Sequence, residues 1–140
     1  MTIQNQIRLG SLPDGTVLRT TAYWGGLPFT HYGILQRAWG GQVLIHHNSK
    51  KIGHAATTDF SGFAGDSLVY VDSIPQTAGH GWQIAERARA DVERGVQWTV
   101  GDNCEDMKSR ALTGRPGSPT RNTIVGLGVL GIILLAVSKL

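Results

Sequence analysis

The chain of 140 residues is long enough for one domain with a sizeable core and too short for two. Its 41% apolar and 16% charged residues exclude a solvated, disordered chain. The 19 glycines indicate many turns, but they follow no G-X-Y period, so collagen is excluded. The single cysteine, Cys104, excludes an internal disulfide framework and a cysteine-rich zinc module, and suits a reducing compartment.

Alternating apolar residues predict short strands in the first half of the chain. We expect them at residues 16–20, 31–37, 42–47 and 67–71. The glycine-rich stretch 24–28 is expected to be a loop. The glycines of the turn at 39–41 predict a hairpin between the second and third strands.

Two helices are predicted in the second half of the chain. Residues 82–94 place small and apolar side chains on one face and charged ones on the others, and Gly95 closes this helix. Residues 104–112 form the next helix, with Asn103 or Asp102 as its N-cap. The fold class is therefore α+β, a small antiparallel sheet packed with helices.

The C-terminal region differs from the rest of the chain in charge and hydropathy. Residues 1–107 carry 8 basic and 10 acidic side chains, whereas residues 108–140 carry 5 basic ones and no acid. Residues 124–137 are uninterrupted, uncharged and apolar on all sides. We divide the chain into a catalytic domain at 1–113, a basic Gly/Pro linker at 114–122 and a hydrophobic helix at 123–140.

The hydrophobic helix is expected to attach the chain to a membrane. It is short for a bilayer span, which takes about 17–20 residues, so crossing a thin bilayer, partial insertion and packing as a core helix all stay open. The preceding basic residues favour a C-terminal anchor with the catalytic domain on the cytosolic side. No apolar signal-peptide stretch occurs at the N-terminus. Nucleic-acid binding is not expected, because the basic residues lack interleaved aromatics.

Cys104 is the candidate nucleophile. Its neighbours in the sequence GDNCEDM are polar, which argues against burial in an apolar core. It begins a predicted helix, where the helix dipole favours a thiolate, whereas the carboxylates of Glu105 and Asp106 oppose one. A nearby imidazolium would be needed to overcome that opposition.

Histidines that could activate the thiol occur on two neighbouring predicted strands. His31 begins one strand, and His46 and His47 end the next, so only one of that pair can face His31. His31 is the candidate base and His46 the residue that would orient it. A zinc site from His31, His46 and Cys104 lacks the usual ligand spacing. We expect no cofactor, and we expect the remaining two histidines, His54 and His80, to be surface residues in loops.

Several motifs together resemble the lecithin:retinol acyltransferase family, of the HRAS-like phospholipase/acyltransferase type. They are FTHYGILQ, QVLIHH, VGDNCEDM and TGRPGSPTRNTIVGLG, in that order over nearly the whole chain. The resemblance implies a circularly permuted papain-like fold of the NlpC type. It implies that His31 is the general base, His46 the third residue, Cys104 the nucleophile and Asn103 an auxiliary residue. Asp106 stands where the family often has histidine.

Three functions follow as alternatives. The first is a cysteine-dependent acyltransferase or phospholipase that acts on acyl esters of membrane lipids through a thioester, with backbone amides at the helix start holding the oxyanion. The second is a cysteine peptidase, isopeptidase or amidase on the same fold. The third is a catalytically idle, membrane-anchored interaction module.

Overall fold

The computed structural model describes residues 9–117. A five-stranded antiparallel sheet with helices around it confirms the α+β class. The strands are β1 (Val17–Trp24), β2 (Leu27–Arg37), β3 (Val43–Ser49), β4 (His54–Thr58) and β5 (Val69–Ser73). The helices between residues 17 and 113 are α1 (Phe60–Ala64), α2 (Ala78–Glu93) and α3 (Cys104–Thr113). The sheet order is β4-β3-β2-β1-β5.

Strands β1 and β2 form a long hairpin that the sequence pattern did not predict. The predicted loop at 24–28 is instead a two-residue turn, in which Gly25 and Gly26 have φ of 57° and 79° and Trp24 pairs with Leu27. Positive φ at both turn positions matches the right-handed twist of the flanking strands, and glycine adopts it without a steric penalty. The loop prediction was therefore wrong.

The sheet buries a separate apolar cluster on each face. The face that carries α2 and α3 buries Val17, Ile34, Ile84, Ala85, Ala88, Met107 and Ala111. The opposite face buries Leu9, Leu18, Leu35, Ile45 and Phe63. Because successive side chains of a strand alternate between the faces, residue parity decides which cluster each β2 or β3 side chain joins. We call these the helix face and the α1 face.

The two longer helices confirm the sequence prediction closely. Helix α2 begins four residues earlier than predicted, capped by the Thr77 hydroxyl, and α3 begins at Cys104 with Asn103 as N-cap. Arg110 of α3 bonds Asp91 of α2 at 2.8 Å and Asp102 at 2.8 Å. These two partly buried ion pairs fix α3 against α2 and hold the segment that leads into Cys104.

Two elements have no counterpart among the predicted ones. Strand β4 begins at His54, and α1 is a single short helix between β4 and β5. His54 and His80 are exposed, as expected, but His54 begins β4 and His80 lies in α2 rather than in loops. The strand predicted at 67–71 is displaced by two residues, to Val69–Ser73.

The predicted hydrophobic helix at 123–140 and most of the linker at 114–122 lie outside the described residues. None of the helices within residues 9–117 is long and apolar enough to span a membrane. Two residues assigned to the basic flank have structural partners instead. Lys108 bonds Asp72 at 2.9 Å and lies 3.8 Å from the centroid of the Tyr32 ring, and Arg110 makes the ion pairs described above.

Candidate active site

Cys104 is buried at the start of α3. Its exposed fraction is 3%, and Sγ donates a hydrogen bond to the carbonyl oxygen of Thr30 in β2 at 3.6 Å. The prediction that polar neighbours keep this thiol out of the interior was therefore wrong. The polar side chains of Asn103 and Asp106 bond backbone N–H groups at the start of α3. The first turn of the helix can therefore pack against the sheet.

Burial raises the pKa of Cys104 to about 11. A backbone hydrogen bond from Tyr32 opposes that rise in the pKa, and the charge of Glu105 adds to it. Asp106 has a different role from the one expected, because its carboxylate accepts the backbone N–H of Asn103 at 3.1 Å. The helix start does not produce a thiolate here, since the cost of burying an anion exceeds the stabilisation from the amides.

Asn103 and Asp106 form a capping box next to Cys104. Asn103 Oδ1 accepts the backbone N–H groups of Glu105 at 2.9 Å and Asp106 at 3.3 Å. Two of the amides expected to hold an oxyanion are thus bonded to the cap. Asn103 therefore positions Cys104 by starting the helix at that residue.

His31 lies on β2, 5% exposed, and bonds the neighbouring strand. Its Nε2 is 2.9 Å from Nδ1 of His47, and His47 Nε2 is 2.9 Å from Oγ1 of Thr58 on β4. Phe63 of α1 packs against both rings, with centroids 5.2 Å and 5.4 Å away. His31, His47 and Thr58 form a row that crosses three strands on the α1 face; we call it the histidine row.

The hydrogen bonds fix the protonation of the histidine row. Thr58 Oγ1 donates to the carbonyl oxygen of Asp59 at 3.0 Å, so it accepts from Nε2–H of His47. The unprotonated Nδ1 of His47 must then accept Nε2–H from His31. His31 Nδ1 is left with a lone pair, and within residues 9–117 it has no hydrogen-bond partner.

Burial keeps both rings of the row neutral. It lowers the pKa of His31 to about 3, with His47 contributing second, and lowers the pKa of His47 to about 4, with His46 contributing second. The neutral His31 ring can accept a proton at Nδ1, but a pKa of about 3 makes it a weak base while it stays buried.

His46 does not contact His31, and its assignment as the orienting residue was wrong. It points to the helix face, where Nε2 donates to Gln36 Oε1 at 2.7 Å and Nδ1 lies 2.7 Å from Thr57 Oγ1. Gln36 Nε2 in turn donates to Glu86 of α2 at 2.9 Å. His46 therefore joins the sheet to α2, and His47 is the histidine that bonds His31.

The structure places the Cys104 thiol and the His31 imidazole on opposite faces of the sheet. Cys104 belongs to a helix on the helix face, and the His31 ring lies on the α1 face. The pairing of β3 with β2 stops at Ile34↔His46, so β2 from Leu27 to Gly33 is not covered by β3. Cys104 Sγ contacts this stretch through Thr30 and Tyr32, the two neighbours of His31. No hydrogen bond joins Cys104 to His31 in this state.

A cavity of about 350 Å³ opens onto the histidine row from the α1 face. Its walls include Ala22, Phe29, His31, His47, Lys50 and Phe63. His31 and His47 are among the residues that line this cavity, whereas Cys104 is not.

Within residues 9–117, no group of three or more His, Cys, Asp or Glu side chains is arranged to hold a metal ion. Neither a protein-family model, nor a curated protein, nor a solved structure matches this chain.

Proposed function

We propose that this protein is a cysteine-dependent acyl-transfer enzyme, with Cys104 as nucleophile, His31 as base and His47 as orienting residue. The observation that supports it best is the buried Nδ1 of His31, which has no hydrogen-bond partner among residues 9–117. The histidine row leaves this nitrogen unprotonated, with a lone pair. An unpaired buried polar atom costs free energy, so its retention calls for a reason. Proton transfer from a thiol that contacts both neighbours of His31 is such a reason.

The proposed reaction proceeds through a thioester. His31 Nδ1 accepts the proton of the Cys104 thiol as Sγ bonds to the carbonyl carbon of an ester. The leaving alcohol takes that proton as the C–O bond breaks, and water or an amine then releases the acyl group. The backbone amides of Tyr32 and Cys104 both lower the pKa of the thiol, and in this proposal they would also donate hydrogen bonds to the developing oxyanion.

The site must rearrange for this reaction to occur. With the Cys104 pKa near 11 and the His31 pKa near 3, the resting pair is a neutral thiol and a neutral imidazole. Catalytic hydrogen bonds often form only in the substrate complex. A turn of the Cys104 side chain about its Cα–Cβ bond, into the part of β2 that β3 leaves uncovered, is the motion we propose.

The proposed substrates are acyl esters of membrane lipids. We also propose a circularly permuted papain-like arrangement, in which histidine comes before cysteine in the chain. Both parts rest on the motif resemblance, and the lipid substrate rests also on the apolar run at 124–137, which would place the domain at a bilayer. An idle interaction module is the second candidate, favoured by the absence of a Cys104–His31 hydrogen bond.

Intact-protein mass spectrometry after incubation with mixed phospholipid vesicles tests the proposal. The wild type is expected to gain one acyl mass that Cys104→Ser does not gain. His47→Gln should abolish the adduct, whereas His46→Gln, the matched control on the adjacent residue, should retain it. An adduct with peptide esters but not with lipid would indicate the peptidase alternative, and no adduct with either would leave the idle module.

A further inference from the structure

The tip of the β1–β2 hairpin exposes large apolar side chains. Tyr23 is 66% exposed, Trp24 49% and Leu27 72%, and all three lie next to the turn at Gly25 and Gly26. Several such side chains in one place are unusual on a protein surface and indicate contact with another apolar phase.

A lysine and a second indole pack onto this tip. The Trp24 and Trp98 rings meet edge to face with centroids 5.7 Å apart. Lys50 Nζ lies 4.6 Å from the centroid of Trp24 and 5.3 Å from that of Trp98. We define the aromatic–lysine tip as Tyr23, Trp24, Leu27, Lys50, Lys51 and Trp98.

The charge next to the tip is positive. Lys50 and Lys51 both line the cavity beside the hairpin, and of the residues that line this cavity Asp66 alone is acidic. Lysines that sit above tryptophan rings combine attraction to anionic headgroups with amphipathic rings suited to the headgroup depth. A neutral apolar partner would not need the two ammonium groups.

We propose that the aromatic–lysine tip is a docking surface for an anionic phospholipid bilayer. This contact is separate from the predicted anchor at 123–140 and does not require Cys104 to be reactive. Leu27 lies four residues before His31 on β2, and Trp98 lies six residues before Cys104. Docking through the tip would therefore bring headgroups to the end of the sheet that carries both site residues, and would fix the orientation of the domain on the membrane.

The test uses brominated lipids, which quench tryptophans that reach the acyl region. Two variants of the full chain, in a Cys104→Ser background that removes any chemistry, are compared. Trp39→Phe/Trp82→Phe keeps the two indoles of the tip, and Trp24→Phe/Trp98→Phe keeps two exposed indoles elsewhere. A membrane anchor would hold both variants at the vesicle alike, so the comparison reports on the tip.

On phosphatidylcholine vesicles that contain phosphatidylserine, emission of the first variant should be quenched severalfold more than that of the second. Lys50→Gln/Lys51→Gln and, separately, Leu27→Glu should remove the excess quenching while the indoles stay in place. Equal quenching of the two pairs, or excess quenching that does not depend on phosphatidylserine, would overturn the proposal. Binding of a single-stranded oligonucleotide, together with loss of the vesicle contact, would also overturn it. Indoles beside lysines can stack on nucleotide bases as well.

Discussion

Three buried histidines make the folded state sensitive to mild acid. Burial lowers the pKa of His31 to about 3 and the pKa values of His46 and His47 to about 4, from an ordinary value of 6.5. The unfolded chain therefore binds more protons than the folded one below pH 6.5, and stability falls as the pH falls towards 4. Each histidine should remove about 2 kcal/mol between pH 7 and pH 5. The three together should remove about 6 kcal/mol, comparable with the whole stability of many domains.

Urea unfolding of the full chain in a non-ionic detergent, followed by tryptophan emission at several pH values, measures this loss. The expected slope over this window is that of the three buried histidines. His46→Gln should lower the slope by about one third, because one titrating ring is removed. A wild-type free energy of unfolding that is constant from pH 7 to pH 5 would show that the rings are charged or solvated in the folded state, and the assignment of tautomers in the histidine row would fail.

Three further changes follow from the site and its support. The rate of Cys104 alkylation by iodoacetamide should rise tenfold per pH unit through pH 9 without a plateau. With a pKa near 11, its thiolate fraction is about 100-fold below that of a thiol whose pKa is 9.0. A plateau below pH 8 would indicate a thiolate–imidazolium pair instead. Asn103→Ala should cost about 1 kcal/mol in chemical denaturation, with Asn103→Asp restoring most of it. Gly33→Ala should cost about 1–3 kcal/mol, because its Cβ would come within 2.5 Å of Ile45 and 2.7 Å of Phe63; unchanged thermal unfolding would contradict that packing.

The parts of the fold that could be predicted from the sequence are those with local signals. Helix α3 has a local N-terminal signal in Asn103, one of the two predicted caps, and the structure shows Asn103 as its N-cap. Strand β4 lacks such a signal, since its core contribution is the small side chain of Ala55. Its existence depends on pairing with β3, which the sequence of the segment does not show.

The environment of Cys104 could not be predicted from its neighbours. Polar flanking residues suggested exposure, but Asn103 and Asp106 bond to the backbone of their own helix. Sequence composition shows which groups are polar and not which partners satisfy them. The raised pKa follows from tertiary packing alone, because the thiol is covered by the backbone of a strand about 70 residues earlier in the chain.

The choice between His46 and His47 depends on the length of one turn. If the predicted strands 31–37 and 42–47 paired from the turn onward, residue 37 would lie opposite residue 42. That register would place His46 on the same face of the sheet as His31. The structure pairs Arg37 with Val43 instead. A shift of one residue moves every side chain of a strand to the other face. His47 therefore joins His31, and His46 bonds Gln36 on the helix face. Both histidines were visible in the sequence, but their roles are set by glycines at positions 40 and 41, whose φ values of 92° and 84° allow the longer turn.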